Sequence, residues 1–348
     1  MSSKNYIFNL SIDDQKNMNR FLYKYMPLRP GFFEKPMIRA TPALDLNDPF
    51  EGHFNIQQVR DADRNQREFY KKNGKDVYDT DDSQLNDSMG VIQSELRDLG
   101  ILSFTEDYNN PLMWAHYAND HKGVVVEFDF SVPFFSDSLK EVDGRKSRFG
   151  KSYVADFFEF PEKVDYRREM PSFDRPEFSA PDSMSEFHWN KFNRAILFTK
   201  ANDWIYEKEQ RSIVQLKDAD SIICGDSPYI RRQCALDPNI ELEELSCGRI
   251  QITYPVEYEM HEEMGDQSIK TEIHLLSSGV DGPVIHLFRI NPQAISGVYF
   301  GCAANEHSSL GNIRKNESLT HLLNIYKMRI NDTQYQLNPF KISRFEDS

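Results

Sequence analysis

The stretch from Gly100 to Phe130, GILSFTEDYNNPLMWAHYANDHKGVVVEFDF, restricts the possible folds more than any other part of the chain. Ile101 to Phe104 reads as a short apolar strand, and Glu106 to Pro111 as a polar turn. A helix is expected over Leu112–Asp120, with Leu112, Trp114, Tyr117 and Ala118 available to one side and His116 nearby. Gly123 is expected to end that helix by adopting a positive φ, which glycine does at no steric cost. Val124-Val125-Val126 then start a second strand that alternates through Glu127, Phe128, Asp129 and Phe130. A unit this dense in Trp, His and Tyr is either plain core or a wall on which a flat ligand stacks. Local sequence leaves both readings open.

The rest of the chain must supply whatever this unit packs on. A length of 348 residues suits two domains, or one domain with large insertions. With 25 phenylalanines and 13% aromatic residues there is enough apolar surface for a sizeable core. The net charge of −14 argues against a broad electrostatic footprint for DNA or an anionic membrane, though a local basic groove remains compatible with it. Cys224, Cys234, Cys247 and Cys302 show no CxxC spacing, which points to reduced thiols and away from structural zinc. The first residues, MSSKNYIFNLSIDDQKN, carry acids and no apolar core, unlike a signal peptide. No apolar run approaches the roughly eighteen residues that span a bilayer. The expected compartment is the cytoplasm.

In chain order, residues 5–20 are read as a lead-in helix, Phe21–Tyr25 as a strand and Met37–Ala40 as a second strand. Leu46-Asn47-Asp48-Pro49-Phe50-Glu51-Gly52 is strong turn chemistry, with Phe50 expected to anchor the turn in the core. Residues 60–87 are charged and amide-rich and read as exposed helix plus loop, followed by a helix over Ser88–Leu99. The Phe-, Pro- and Arg-rich segment 131–187, with a short strand at Val164–Tyr166, reads as a second insertion. A helix is expected over His188–Ala201, where Trp189, Phe192, Ile196 and Leu197 recur at helical spacing. Residues 217–283 look irregular. Strands follow at Ile285–Ile290 and Ile295–Phe300, and a final helix at about Asn305–Lys327.

Chemistry concentrates in Glu207-Lys208-Glu209-Gln210-Arg211. If the segment is a strand, its period of two puts Glu207, Glu209 and Arg211 on one face. Two like charges so close tend to raise one pKa and suit a binding or catalytic use. The plainer reading is an exposed strand with one Glu–Arg pair. Lys24 projects opposite Tyr23 and Tyr25: solvated if the rings pack inward, buried and paired if they do not. Asn47-Asp48-Pro49 is most simply a rigid turn, but Asn47 or Asp48 could face a cleft opposite Glu209. His116 and His121 are wrongly spaced to ligate a metal from one helix face. The basic runs at Arg145–Arg148 and Arg167-Arg168 read as solvated loops. No Walker loop, GxGxxG, GxSxG or HExxH occurs.

Taken together and in order, YKY (23–25), LNDPFEG (46–52), SFTE (103–106), MWAHYANDHKGVVVEFD (113–129), Lys200 with Trp204, YEKEQR (206–211) and VYFG (298–301) resemble the bacterial family Domain of Unknown Function 2971. More loosely, the order of pieces resembles the ADP-ribosyltransferase superfold. That resemblance implies a single α+β domain over 1–348, with split mixed or antiparallel sheets around a central cleft and insertions at 60–87 and 131–187. It also implies NAD as co-substrate. Lys24 then stands where a His or Arg meets the ribose or phosphate, Tyr117 or Trp114 where a ring stacks on nicotinamide, and Glu209 or Glu207 where a carboxylate holds the ribose hydroxyl. Tyr25, Asn47, Asp48, Ser103, Trp114, His116 and Arg211 would contact the dinucleotide, and no metal is called for. The chain departs from the pattern in offering lysine for the first His or Arg and in lacking a Ser-Thr-Ser second motif. The implied activity is NAD cleavage with transfer of ADP-ribose to a protein or nucleic acid, as in a toxin or phage-defence effector, with a partner protein or antitoxin. The alternatives are a non-catalytic module sensing a nucleotide or phage protein, and a metal-dependent nuclease using Glu207, Glu209 and Asp48.

Overall fold

The computed structural model describes residues 20–135, 140–142, 145–147, 161–173, 188–255 and 269–343. The lead-in helix expected before residue 20 lies outside the described residues, as does most of the 131–187 insertion. The strands are β1 (Phe21–Met26), β2 (Met37–Pro42), β3 (Leu99–Thr105), β4 (Val124–Asp129), β5 (Lys140–Val142), β6 (Arg145–Ser147), β7 (Glu162–Lys163), β8 (Asp165–Arg167) and β9 (Thr199–Ala201). They continue as β10 (Glu209–Gln215), β11 (Ser221–Gly225), β12 (Glu241–Leu245), β13 (Arg249–Thr253), β14 (Ile285–Arg289), β15 (Ile295–Phe300), β16 (Ile325–Ile330) and β17 (Leu337–Lys341).

The molecule is α+β, built on a mixed sheet in which β15 and β16 run parallel and the other neighbours along the main path are antiparallel. Strand β3 is its pivot. One edge of β3 pairs with β10 along the whole strand, from Glu209↔Thr105 to Gln215↔Leu99. The other edge is shared. It meets β2 only at Thr41↔Ile101 and Pro42↔Gly100, and β1 only at Tyr23↔Thr105. From there the sheet divides into two arms, β2-β14-β11-β13-β12 and β1-β4-β15-β16-β17. Between the two contacts the Leu102–Phe104 edge has no strand partner. This split is the cleft around which the functional residues gather.

Alternation explains the core. Leu22, Phe33, Ile38, Phe104, Phe128 and Phe288 belong to the main cluster. A second cluster lies under the helices Ile56–Lys72, Asp82–Arg97 and His188–Leu197, with Phe54, Ile92, Leu96, Ile101, Phe192 and Ile213. A third packs Tyr25, Trp114, Val125, Tyr299 and Met328 against the helix Pro111–Tyr117.

Several sequence expectations are corrected. The 60–87 region is mostly two helices, each opened by a capping box: Asn55 with Gln58, and Asp81 with Gln84. The side-chain oxygen and amide satisfy otherwise orphaned backbone donors at those ends. Phe50 does not anchor its turn: it is 64% exposed, while Glu51 is 6% exposed. Asp48 Oδ1 accepts from Phe50 N–H at 3.0 Å and Gly52 takes φ +69°, which together turn the ring outward and the carboxylate inward. Gly123 does not end the helix with a positive φ. Asn119, Asp120 and His121 occupy the left-handed region instead, at φ 49°, 52° and 63°. Gly123 is required by close approach, since a Cβ there would lie 2.4 Å from Met26 O. The final segment holds only the helix His307–Lys315 before turning into β16 and β17. Residues 217–283 contain β11, β12 and β13, with the acidic run at 241–244 lying within the edge strand β12.

Candidate active site

The cleft is lined by Tyr23, Lys24, Tyr25, Arg39, Thr41, Asp45, Leu46, Asn47, Ser103, Phe104, Thr105, Met113, Tyr117, Lys200, Glu207 and Glu209, around about 280 Å³. Segments more than 180 positions apart in sequence thus supply one cavity. Its size is at the low end of small-molecule sites, enough for one end of a dinucleotide.

Lys24 shares a face of β1 with Leu22 and Met26, but its ammonium reaches across the split and donates to Ser103 O at 2.9 Å. The carbonyl left without a strand partner is thereby satisfied. Burial draws the Lys24 pKa down to about 8; Glu209 opposes the shift, while Arg29 and Arg39 add to it. Neither sequence alternative for Lys24 applies: it is half-buried, in a polar cleft, and has no ion pair among the described residues.

The cavity is also bounded by a network of buried charges. Asn47 Nδ2 donates to Tyr117 OH at 2.9 Å, and Tyr117 OH donates to Glu207 Oε1 at 2.5 Å. Lys200 Nζ donates to Glu207 Oε2 at 2.6 Å and Glu209 Oε2 at 3.1 Å, and lies 3.2 Å from Glu51 Oε1. Arg211 grips Glu209 with two bonds, 2.7 Å to Oε1 and 2.9 Å to Oε2, donates to Leu197 O at 2.6 Å, and also pairs with Glu51. Glu51, Glu207, Glu209, Lys200 and Arg211 are all buried, so three carboxylates face two cations with one negative charge in surplus. Burial would push both cleft glutamates up. It does so for Glu207, but for Glu209 the Arg211 and Lys200 charges prevail and hold it at about 2. Tyr117 is pushed up by burial and by the Glu207 charge, so it stays a neutral donor.

The shared-face expectation holds only for Glu209 and Arg211, both on β10. Glu207 ends a 3₁₀ turn, Asn202–Glu207, and Lys208 follows in the left-handed region at φ 45°. That reversal, with Thr105 Oγ1 donating to Glu207 O at 2.6 Å, brings Glu207 into the cluster from outside the sheet.

Of the residues singled out in sequence, Lys24, Tyr25, Asn47, Ser103, Tyr117, Glu207 and Glu209 line the cavity. Four do not. Trp114 is fully buried against Tyr25, its Nε1–H donating to Tyr108 O at 3.0 Å, so its ring is core and not a stacking wall. His116 is exposed and does not line the cavity. Asp48 is buried in the turn that it caps. Arg211 stands behind Glu209 as its clamp. Sequence reading missed Lys200, Glu51 and Arg39 as site residues. A charged residue next to strong turn chemistry (Glu51) or flanked by Thr and Ala after an apolar helix (Lys200) was the available signal. Among the described residues no group of His, Cys, Asp or Glu could hold a metal ion, and the ammonium of Lys200 occupies the space between the three carboxylates. No helix among the described residues is long and apolar enough to cross a membrane.

No curated protein and no solved structure matches the chain. Residues 113–212, which run from Met113 through Tyr117, Lys200, Glu207 and Glu209 to Ser212, match the model of a family described as a protein of unknown function, DUF2971.

Proposed function

We propose that the cleft binds NAD and transfers its ADP-ribose moiety to a macromolecular acceptor, a protein or a nucleic acid. The observation that carries this reading is the convergence of Lys24, Asn47, Tyr117, Glu207 and Glu209 on one cavity. The cavity carries both signs of charge: Lys24 and Arg39, which make no ion pair among the described residues, and the carboxylate cluster with its surplus negative charge. A dinucleotide has the matching polarity: its phosphates are anionic, and positive charge develops at the ribose C1′ as nicotinamide departs.

In this reaction the C1′–N bond breaks and its electron pair leaves with nicotinamide, while a lone pair of the acceptor forms the new bond to C1′. The acceptor's proton passes to Glu207, whose pKa is raised by burial and whose bond to Tyr117 can be exchanged for one to the substrate. Glu209, with both oxygens already bonded by Arg211 and Lys200, stays ionised and supplies fixed negative charge beside the developing cation. Such charge stabilises the transition state more than the ground state.

The test is nicotinamide release and label transfer from NAD with proteins and nucleic acids offered as acceptors. Glu207→Gln should lower the rate on the order of 10²–10³-fold, as when one electrostatic donor is lost. Wild-type protein that releases no nicotinamide and labels no acceptor would defeat the reading. A non-catalytic sensing module is favoured by one specific observation, the internal saturation of Glu209. It requires that NAD raise the melting temperature with no turnover.

A further inference from the structure

One feature of the cleft lies outside the carboxylate network. Arg39 lines the cavity from β2, and its Nε–H is buried with no acceptor among the described residues. Among the described residues Arg39 makes no ion pair or side-chain hydrogen bond, and neither does Arg29 in the loop that links β1 to β2. Lys24, on the same wall, bonds only a backbone carbonyl. The three cations are close enough to disfavour one another's charge: Arg29 and Arg39 both act on Lys24, and Arg39 acts on Arg29. Like charges gathered in a partly desolvated wall, with no ion pair among the described residues and only Glu209 acting on Lys24 from a distance, are costly in the free protein. An unsatisfied buried donor in a native fold calls for an explanation, and a bound acceptor is one. The segment 41–51 carries three acids, Asp45, Asp48 and Glu51, yet among the described residues none of them pairs with Arg29 or Arg39.

We infer that Arg39, with Lys24 and Arg29, forms a phosphoryl-binding subsite on the β1–β2 side of the cleft. Its ligand class is a phosphate ester or pyrophosphate. A guanidinium donates a planar pair of bonds to phosphate oxygens, and the ammonium adds a point charge. The subsite deepens the NAD reading by assigning the pyrophosphate to Arg39, but it requires no turnover and holds for any phosphorylated ligand whose other end enters the cleft.

The test is calorimetric titration of the full chain with inorganic pyrophosphate, ADP-ribose and adenosine. Pyrophosphate and ADP-ribose should bind saturably, more weakly at higher salt, and adenosine should not bind measurably. Arg39→Gln should weaken both by about 10- to 100-fold, the worth of a hydrogen bond to a charged group. Arg39→Lys should recover part of the pyrophosphate affinity and less of the ADP-ribose affinity. If Arg39→Gln disturbs folding, Arg29→Gln, at the edge of the cluster, should still weaken pyrophosphate by several-fold in a protein with unchanged melting behaviour. Equal affinities in wild type and both glutamine variants, or no saturable pyrophosphate binding by wild type, would overturn the subsite. Binding without nicotinamide release would leave the subsite standing and remove the transfer reaction; nicotinamide release unaffected by Arg39→Gln would do the reverse.

Discussion

Replacing Lys200 by methionine tests the carboxylate cluster most directly. Methionine fills much of the same volume but removes the ammonium shared by Glu207, Glu209 and Glu51 at 2.6, 3.1 and 3.2 Å. Three buried carboxylates would then face Arg211 alone. Removing one partner of a buried ion pair typically costs about 3–5 kcal/mol, because the remaining charge stays desolvated. At an unfolding entropy of roughly 2.1 cal/mol/K per residue, a chain of 348 residues should lose about 4–7 °C in melting temperature. The loss should depend on pH. Glu207 already has its pKa raised in the folded state by burial, and without Lys200 it rises further. A carboxyl whose folded pKa lies above its unfolded value favours folding at low pH, and that contribution disappears as pH climbs through the folded pKa. The variant should therefore be closest to wild type near pH 5 and furthest from it near pH 8, followed by thermal denaturation at unit steps of pH. Adding Glu207→Gln to Lys200→Met should recover a large part of the loss, since the uncompensated charge is removed. A Lys200→Met protein within about 1 kcal/mol of wild type at every pH would refute the cluster as a buried, mutually dependent unit.

Two further substitutions check the corrected parts of the fold. Gly123→Ala places a Cβ 2.4 Å from Met26 O and 2.7 Å from Ala118 O, both backbone atoms, and should cost at least the ~1–3 kcal/mol of overpacking in denaturant titration. Phe50→Ala, at a ring 64% exposed, should stay within about 0.5 kcal/mol of wild type, whereas Phe33→Ala, 1% exposed, should cost about 3–5 kcal/mol. Equal effects of the two phenylalanine substitutions would restore Phe50 as the anchor of its turn.

What the amino-acid order determined alone was local. Val126–Phe130 alternates strictly after a run of three valines, and Ile285–Ile290 and Ile295–Phe300 are short apolar runs with few competing signals, so each could be placed as a strand to within one or two residues. The ordered motifs also marked which segments carry polar residues with a purpose, and seven of the eleven residues drawn from them line the cleft. The capping boxes at Asn55 and Asp81 are completed by Gln58 and Gln84 within charged, amide-rich sequence that resembles loop. The tertiary structure alone decided which way those residues face. Glu207 and Glu209 look like neighbours on a strand, yet a left-handed Lys208 puts one of them off the sheet. Trp114 and Tyr117 lie on one short helix, and only the packing of Tyr25 makes the first core and the second cleft. For Lys200 and Glu51 the sequence does not show the burial or the full set of partners, and for Arg211 it shows only the nearby Glu209. Their partners come from strands and turns up to 160 positions away, and only the closing of the sheet around β3 excludes the water that would otherwise have screened them.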